Sequence, residues 1–215
     1  GVPDTAWVQA MTRFGRQIEE QVRFRSAGAG WDPDMGRFVG ARGLMVAGQW
    51  ADAVEMLSDL TTEAPEMAPA WDLLARAHVS AGNPQGAADA IARWSAQGGE
   101  GAPTAGEARA LAAAVARDGA RGWWLWQQQR LDARMAAGEE VSILDLAAAR
   151  AGVGDTEGAL QALEEAVARH DRGLVLLSRD PVWDVLRADP RFADIARRSR
   201  TVHVQVRPPE PGRPR

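Results

Sequence analysis

A spacing of 34 residues organises the middle of this chain and limits what it can fold into. Aligned at that offset, Gly48 falls on Gly82, Ala53 on Ala87, Leu57 on Ile91 and Leu60 on Trp94. A fixed period of this size marks a stacked array of helical hairpins, because one hairpin cannot bury its apolar face without a neighbour. Glycine at 48 and 82 suits the left-handed backbone that ends one helix before the chain reverses. The turns are short, so the two helices of each hairpin must run antiparallel.

The hairpins can be placed from their punctuation. The first is expected to pair a helix near residues 34–47 with one near 50–63, closed by Pro65, and the second to pair 69–81 with 84–96. A further hairpin is expected at 141–151 and 156–169 around Gly154, where Ala159, Leu163 and Ala166 take the places of Ala87, Ile91 and Trp94. Gly154 lies 72 residues beyond Gly82, two periods plus four, so an irregular hairpin is expected between them, with helices near 107–117 and 123–135. Alanine at 53, 87 and 159 lets paired helices approach closely, and enlarging it would overpack the contact by about 1–3 kcal/mol. The run Gln97-Gly-Gly-Glu-Gly-Ala-Pro103 reads as the flexible joint of the array.

The two ends differ from this pattern. Residues 1–33 contain an amphipathic stretch with Trp7, Val8, Met11, Phe14, Ile18, Val22 and Phe24 at steps dominated by three and four, followed by a glycine-broken loop. Asp180-Pro181 and Asp189-Pro190 read as helix starts, and Leu174, Leu177, Trp183, Leu186 and Phe192 would close the open end of the stack. The repeats and this closing segment span 34–199. Residues 200–215 read as a tail, in which Val202, Val204 and Val206 alternate like a strand before an extended Pro/Arg-rich end. The chain opens at Gly1 without a charged-then-apolar leader, which leaves a trimmed and a processed end equally open.

Composition narrows the chemistry. The chain has 215 residues, no cysteine and no lysine, so thiolate, disulfide and Schiff-base chemistry are absent from its side chains. His78, His170 and His203 are far apart with no metal-binding context, and no nucleophile elbow, phosphate loop or dinucleotide fingerprint occurs. Adjacent pairs such as Glu19-Glu20 and Glu164-Glu165 diverge by about 100° on a helix and read as solvated faces. No catalytic residue, metal or cofactor is therefore expected. No apolar run approaches the roughly 20 residues that span a bilayer. From Arg197 onward six arginines face one acid, Glu210, so the net charge of -4 combines an acidic body with a basic tail. Such a tail suits an acidic protein or an anionic membrane surface. Without interleaved aromatics it makes a poor nucleic-acid site.

Nine tryptophans stand against four phenylalanines and no tyrosine. Trp50, Trp71, Trp94 and Trp183 hold repeat or closing positions and are expected in the core. Trp123, Trp124 and Trp126 span most of a helix circumference, so one apolar face cannot hold all three. At least one is expected at a groove or at solvent.

Trp71, Leu74, Ala75, His78, Gly82, Ala87, Ile91 and Trp94 fall on the signature positions of the tetratricopeptide repeat, which this segment resembles. His78 stands where a Tyr is usual and Trp94 where Ala is usual. The hairpin from Asp34 resembles the repeat more loosely, with Arg37 at the usual Trp place. The segment from Leu146 to Ile195 is similar to the ending of many bacterial tetratricopeptide proteins, with Asp-Pro-X-Trp-Asp-X-Leu-Arg-X-Asp-Pro-Arg-Phe. The resemblance implies an all-α fold, a right-handed superhelix of antiparallel helix pairs with an extended C-terminal tail. It also implies a non-catalytic scaffold that binds another protein or a multi-subunit complex, membrane-bound complexes included, as an accessory or assembly subunit. The other reading it leaves open is a regulatory or sensor module of a longer bacterial transcription regulator or kinase. The candidate partner contacts are Trp123, Trp124, Trp126, Val202, Val204, Val206, Arg207 and Arg213.

Overall fold

The computed structural model describes residues 33–99, 101–171, 173–174 and 177–202. The amphipathic stretch at 4–25 and the tail beyond Val202 lie outside the described residues. Within them every regular element is helical. The helices are α1 Pro33–Val46, α2 Trp50–Glu63, α3 Ala68–Ser80, α4 Pro84–Gln97, α5 Ala105–Asp118, α6 Ala120–Ala136, α7 Ile143–Val153, α8 Thr156–Ala168 and α9 Pro190–Val202, with a 3-10 turn at Pro181–Leu186 before α9. The chain divides into two compact units between Arg130 and Leu131.

In the first unit α1 to α5 pack in sequence order, each on the next, and α1 also touches α3. That is the adjacency of a tetratricopeptide-like array, in which first helices of successive hairpins lie side by side. The reversals are made by Gly48 and Gly82 at φ 72° and 69°, where an L side chain would cost roughly 1–2 kcal/mol. Asn83 then caps α4, its side-chain oxygen accepting from Gly86 N at 2.9 Å, and Pro84 opens the helix. Trp71 Nε1 donates to the Pro65 carbonyl at 2.8 Å, tying the first aromatic of the second hairpin to the proline that closes the first. Ala53, Ala87, Leu57, Leu60 and Ile91 are fully buried, so the residues that carry the period also build the core.

Helix α5 begins at a capping box. Thr104 and Glu107 exchange hydrogen bonds between side chain and backbone, which starts the helix two residues before the expected Glu107. These bonds, led by the Thr104 backbone N–H, hold Glu107 below its ordinary carboxylate range. The glycine run before it is not the place where the array divides. Gly98, Gly99 and Gly101 all take positive φ, so the link turns tightly and α4 packs directly on α5.

The second unit repeats the hairpin in α7 and α8. Gly154 (φ 91°) makes the reversal, Asp155 caps α8 by accepting from Gly158 N at 2.9 Å, and Ala159, Leu163 and Ala166 are fully buried. Asp180 and Asp189 accept from Val182 N and Arg191 N at the two Asp-Pro starts. Leu174, Leu177, Trp183, Leu186 and Phe192 are all buried, as the closing segment requires. Two ion pairs, Arg191 with Glu157 and Arg198 with Glu164, join α9 to α8. The partners advance by seven residues on both helices, so α9 runs parallel to α8. The expected strand at 201–206 fails at its first two residues, because α9 continues through Thr201 and Val202.

Candidate protein-interaction surface

Helix α6 carries the tryptophan cluster into the first unit. It leaves α5 after a single residue, Gly119 (φ 57°), and passes so close that any Cβ at Gly122 would collide with the Ala114 carbonyl. Its side chains reach two earlier helices as well. Trp126 meets Trp94 of α4 edge-on with ring centroids 5.9 Å apart, and Trp124 lies under the guanidinium of Arg76 of α3 at 5.0 Å. Arg130, also on α6, stands 5.7 Å over Trp94 and 5.3 Å over Trp126. The bulky residue at position 94, where the repeat pattern calls for a small one, is thus roofed by an aromatic and an arginine. Arginine suits this place because its planar, weakly hydrated cation stacks on rings.

The three adjacent rings take different environments, as their angular spread demands. Trp123 is 1% exposed and sits in the core with Leu111 and Val115, 6.2 Å from Trp126. The expectation that it contributes to a partner surface is corrected: its ring is enclosed in the core and leaves almost no surface for a partner. Trp124 and Trp126 are half-buried, and Leu125 between them is 46% exposed. The outward part of the cluster is therefore Trp124, Leu125 and Trp126. Leu125 carried no signal as a site in the sequence, since an isolated exposed leucine is ordinary. Its neighbours give it context. Of the tail candidates, Val202 is the last residue of α9, and Val204, Val206, Arg207 and Arg213 lie outside the described residues.

On α1 the exposed residues Met35, Val39 and Arg42 form one stripe by their i, i+4, i+7 spacing. Arg37 points the other way, bonded to Asp34 and to Glu63 of α2, both at 2.7 Å. Those bonds, Glu63 first, raise its pKa further. His78 at the end of α3 packs where a Cβ at Gly86 would intrude, and Asn83 Nδ2 approaches its Nδ1 at 3.3 Å. Burial pushes its pKa below the ordinary value, against a smaller opposing pull from Asp89. Among the described residues no group of three or more His, Cys, Asp or Glu side chains is placed to hold a metal. No described helix is long and apolar enough to cross a membrane.

This geometry, paired helices with glycine reversals and side-by-side first helices, defines a helical-repeat protein. Residues 44–115 match the family model described as tetratricopeptide repeat, which covers α2, α3, α4, the last turn of α1 and most of α5. The match supports a tetratricopeptide-repeat protein, a class whose arrays generally mediate protein–protein interaction without catalysing reactions. No curated protein and no solved structure matches the chain.

Proposed function

We propose that the chain is a non-catalytic scaffold, acting as an accessory or assembly subunit of a larger complex. The observation that carries this reading is the outward face of α6. Trp124 and Trp126 are braced by Arg76 and Arg130, with Leu125 exposed between them. Half-buried aromatics held by stacked arginines offer a large, rigid contact area at little cost in side-chain entropy, which is how interface anchors are built. The basic tail, with Val204, Val206, Arg207 and Arg213, supplies a second contact by strand addition or by pairing with acidic groups.

The test is purification of the tagged full-length chain from its source cells under mild salt, followed by native mass spectrometry. A stoichiometric complex with another polypeptide is expected, weakened by Trp124→Ala combined with Leu125→Ser. A chain recovered only by itself would overturn the scaffold reading, as would a complex indifferent to the double variant and to removal of residues 203–215.

A further inference from the structure

One side of α1 is open where the same side of α3 is closed. Met35, Val39 and Gly43 follow one another at steps of four and so share a side of the helix. Met35 and Val39 are 45% and 46% exposed and Gly43 is half-buried, whereas Phe38 and Leu44 of the same helix pack on the core. At the 34-residue offset Leu73 and Ala77 take the places of Val39 and Gly43, and they are 8% and 0% exposed. The neighbours differ accordingly. Helix α3 packs on α2 before it and on α4 after it, while among the described residues α1 packs on α2, touches α3 and has no helix before it. The apolar side of α1 therefore lacks a neighbour that its counterpart on α3 has.

The sequence just before α1 holds a segment of the matching kind. Placed on a helix at 100° per residue, Trp7, Met11, Phe14, Ile18 and Val22 fall within about 80° of the circumference, one narrow apolar stripe. The residues from Ser26 to Asp32, with Gly28 and Gly30 among them, join this segment to α1. Such a connection reaches up to about 23 Å, against about 8–10 Å between the axes of packed helices, so it is long enough for the chain to reverse. Reversal gives an antiparallel register in which Phe14, Ile18 and Val22 stand opposite Gly43, Val39 and Met35, with steps of four running in opposite directions on the two sides. The bulkiest of the three, Phe14, meets the glycine, where the missing side chain leaves room for a ring.

We propose that residues 4–25 fold as a helix that docks antiparallel on α1 of the same chain, along Met35, Val39 and Gly43. Docking takes two apolar stripes out of water at once, each of which is otherwise an exposed patch. The connection holds the segment close to α1 at a high effective concentration, which favours the chain's own segment over a second copy. The N-terminal segment is then a part of the first unit and not a free arm, and its apolar residues are not offered to a partner. The inference does not rest on the scaffold reading and survives that reading's failure.

The chain has no cysteine, so an introduced pair reports on proximity without interference. The experiment uses the full chain carrying Ile18→Cys with Val39→Cys, and as a control Glu20→Cys with Val39→Cys, since position 20 lies about 160° from position 18 around a helix. Under mild oxidation of a dilute sample, the first pair should close a disulfide within one chain about tenfold faster than the control, read by intact mass and non-reducing electrophoresis. A second measurement needs no crosslink. Ile18→Glu and Val39→Glu should each lower the thermal midpoint by about 2–4 °C or more. The two changes together should cost little more than one alone, because either breaks the same contact. Equal closure of the two cysteine pairs, unmoved midpoints in both glutamate variants, or fully additive losses would overturn the proposal. Disulfides formed only between chains would overturn it in favour of a second copy seated on α1.

Discussion

The hairpin α3/α4 of the first unit and the hairpin α7/α8 of the second are built from the same parts and differ most at one position. Each reverses at a glycine with positive φ, Gly82 or Gly154, and each starts its second helix with a side-chain cap, Asn83 or Asp155. Each also keeps a glycine in the first turn of that helix because a side chain leans over it, His78 over Gly86 and Arg150 over Gly158. Ala87 and Ala159 are fully buried in both. The difference is Trp94 against Ala166. The alanine is fully buried and presents no ring, whereas the indole is roofed by Trp126 and Arg130 of α6. The shared parts set the fold of a hairpin, and the exceptional residue gives it a neighbour, which here brings an aromatic surface to the outside.

Exchanging the exceptional residue should produce the largest effect. Trp94→Ala removes a ring that is 2% exposed and strips α6 of its contact, and should cost about 3–5 kcal/mol by urea denaturation. The reverse change, Ala166→Trp, should cost about 1–3 kcal/mol or more by overpacking. A small loss for Trp94→Ala would mean that α6 does not depend on that ring.

The shared parts should fail alike. Gly82→Val and Gly154→Val should each cost roughly 1–2 kcal/mol. A Cβ at either site meets nothing within 4 Å, so the loss is backbone strain alone. Asn83→Ala and Asp155→Ala should each cost about 0.5–2 kcal/mol as lost caps. Thermal melts that separate the two hairpins on these changes would break the equivalence.

A smaller difference should appear with pH. His78 has its folded pKa pushed below the ordinary 6.5, so the folded form favours the neutral ring. The unfolded chain takes up that proton first, and stability present above pH 6.5 should decline as pH falls below it. The urea midpoint should drop between pH 7 and 5.5 in the wild type, with a shallower slope in His78→Gln. Arg150 takes the place of this histidine in the second hairpin. Asp189 and Glu157 are held below their ordinary range, chiefly by hydrogen bonds from Arg191, so their contribution should be lost only below about pH 4.5. The smallest effect is expected at the ends of α9. Arg191→Ala removes two exposed pairs and should leave the thermal midpoint nearly unchanged.

Much of the hairpin architecture is legible in the residues, because it is written in local chemistry. The bounds Trp50–Glu63 for α2 follow directly from Gly48 before it and Pro65 after it, and the start of α4 from Asn83-Pro84. The Asp-Pro pairs announce the closing turns in the same way. What was not legible is tertiary. The glycine run at 97–103 looks like a joint, yet glycines with positive φ also make tight turns, and only packing tells the two apart. The spread of Trp123, Trp124 and Trp126 around a helix requires different environments but does not say which ring is enclosed. Arg76 lies 48 residues before Trp124, and nothing local joins them.

The most direct test of the interaction face is photocrosslinking in the source cells, with a benzophenone side chain placed at one position of the full-length chain at a time. Position 125, on the outward face of α6, should give adducts to one partner polypeptide. Position 55, exposed on α2, should give none to that polypeptide. Adducts from position 55 to a partner polypeptide with none from 125 would contradict the account.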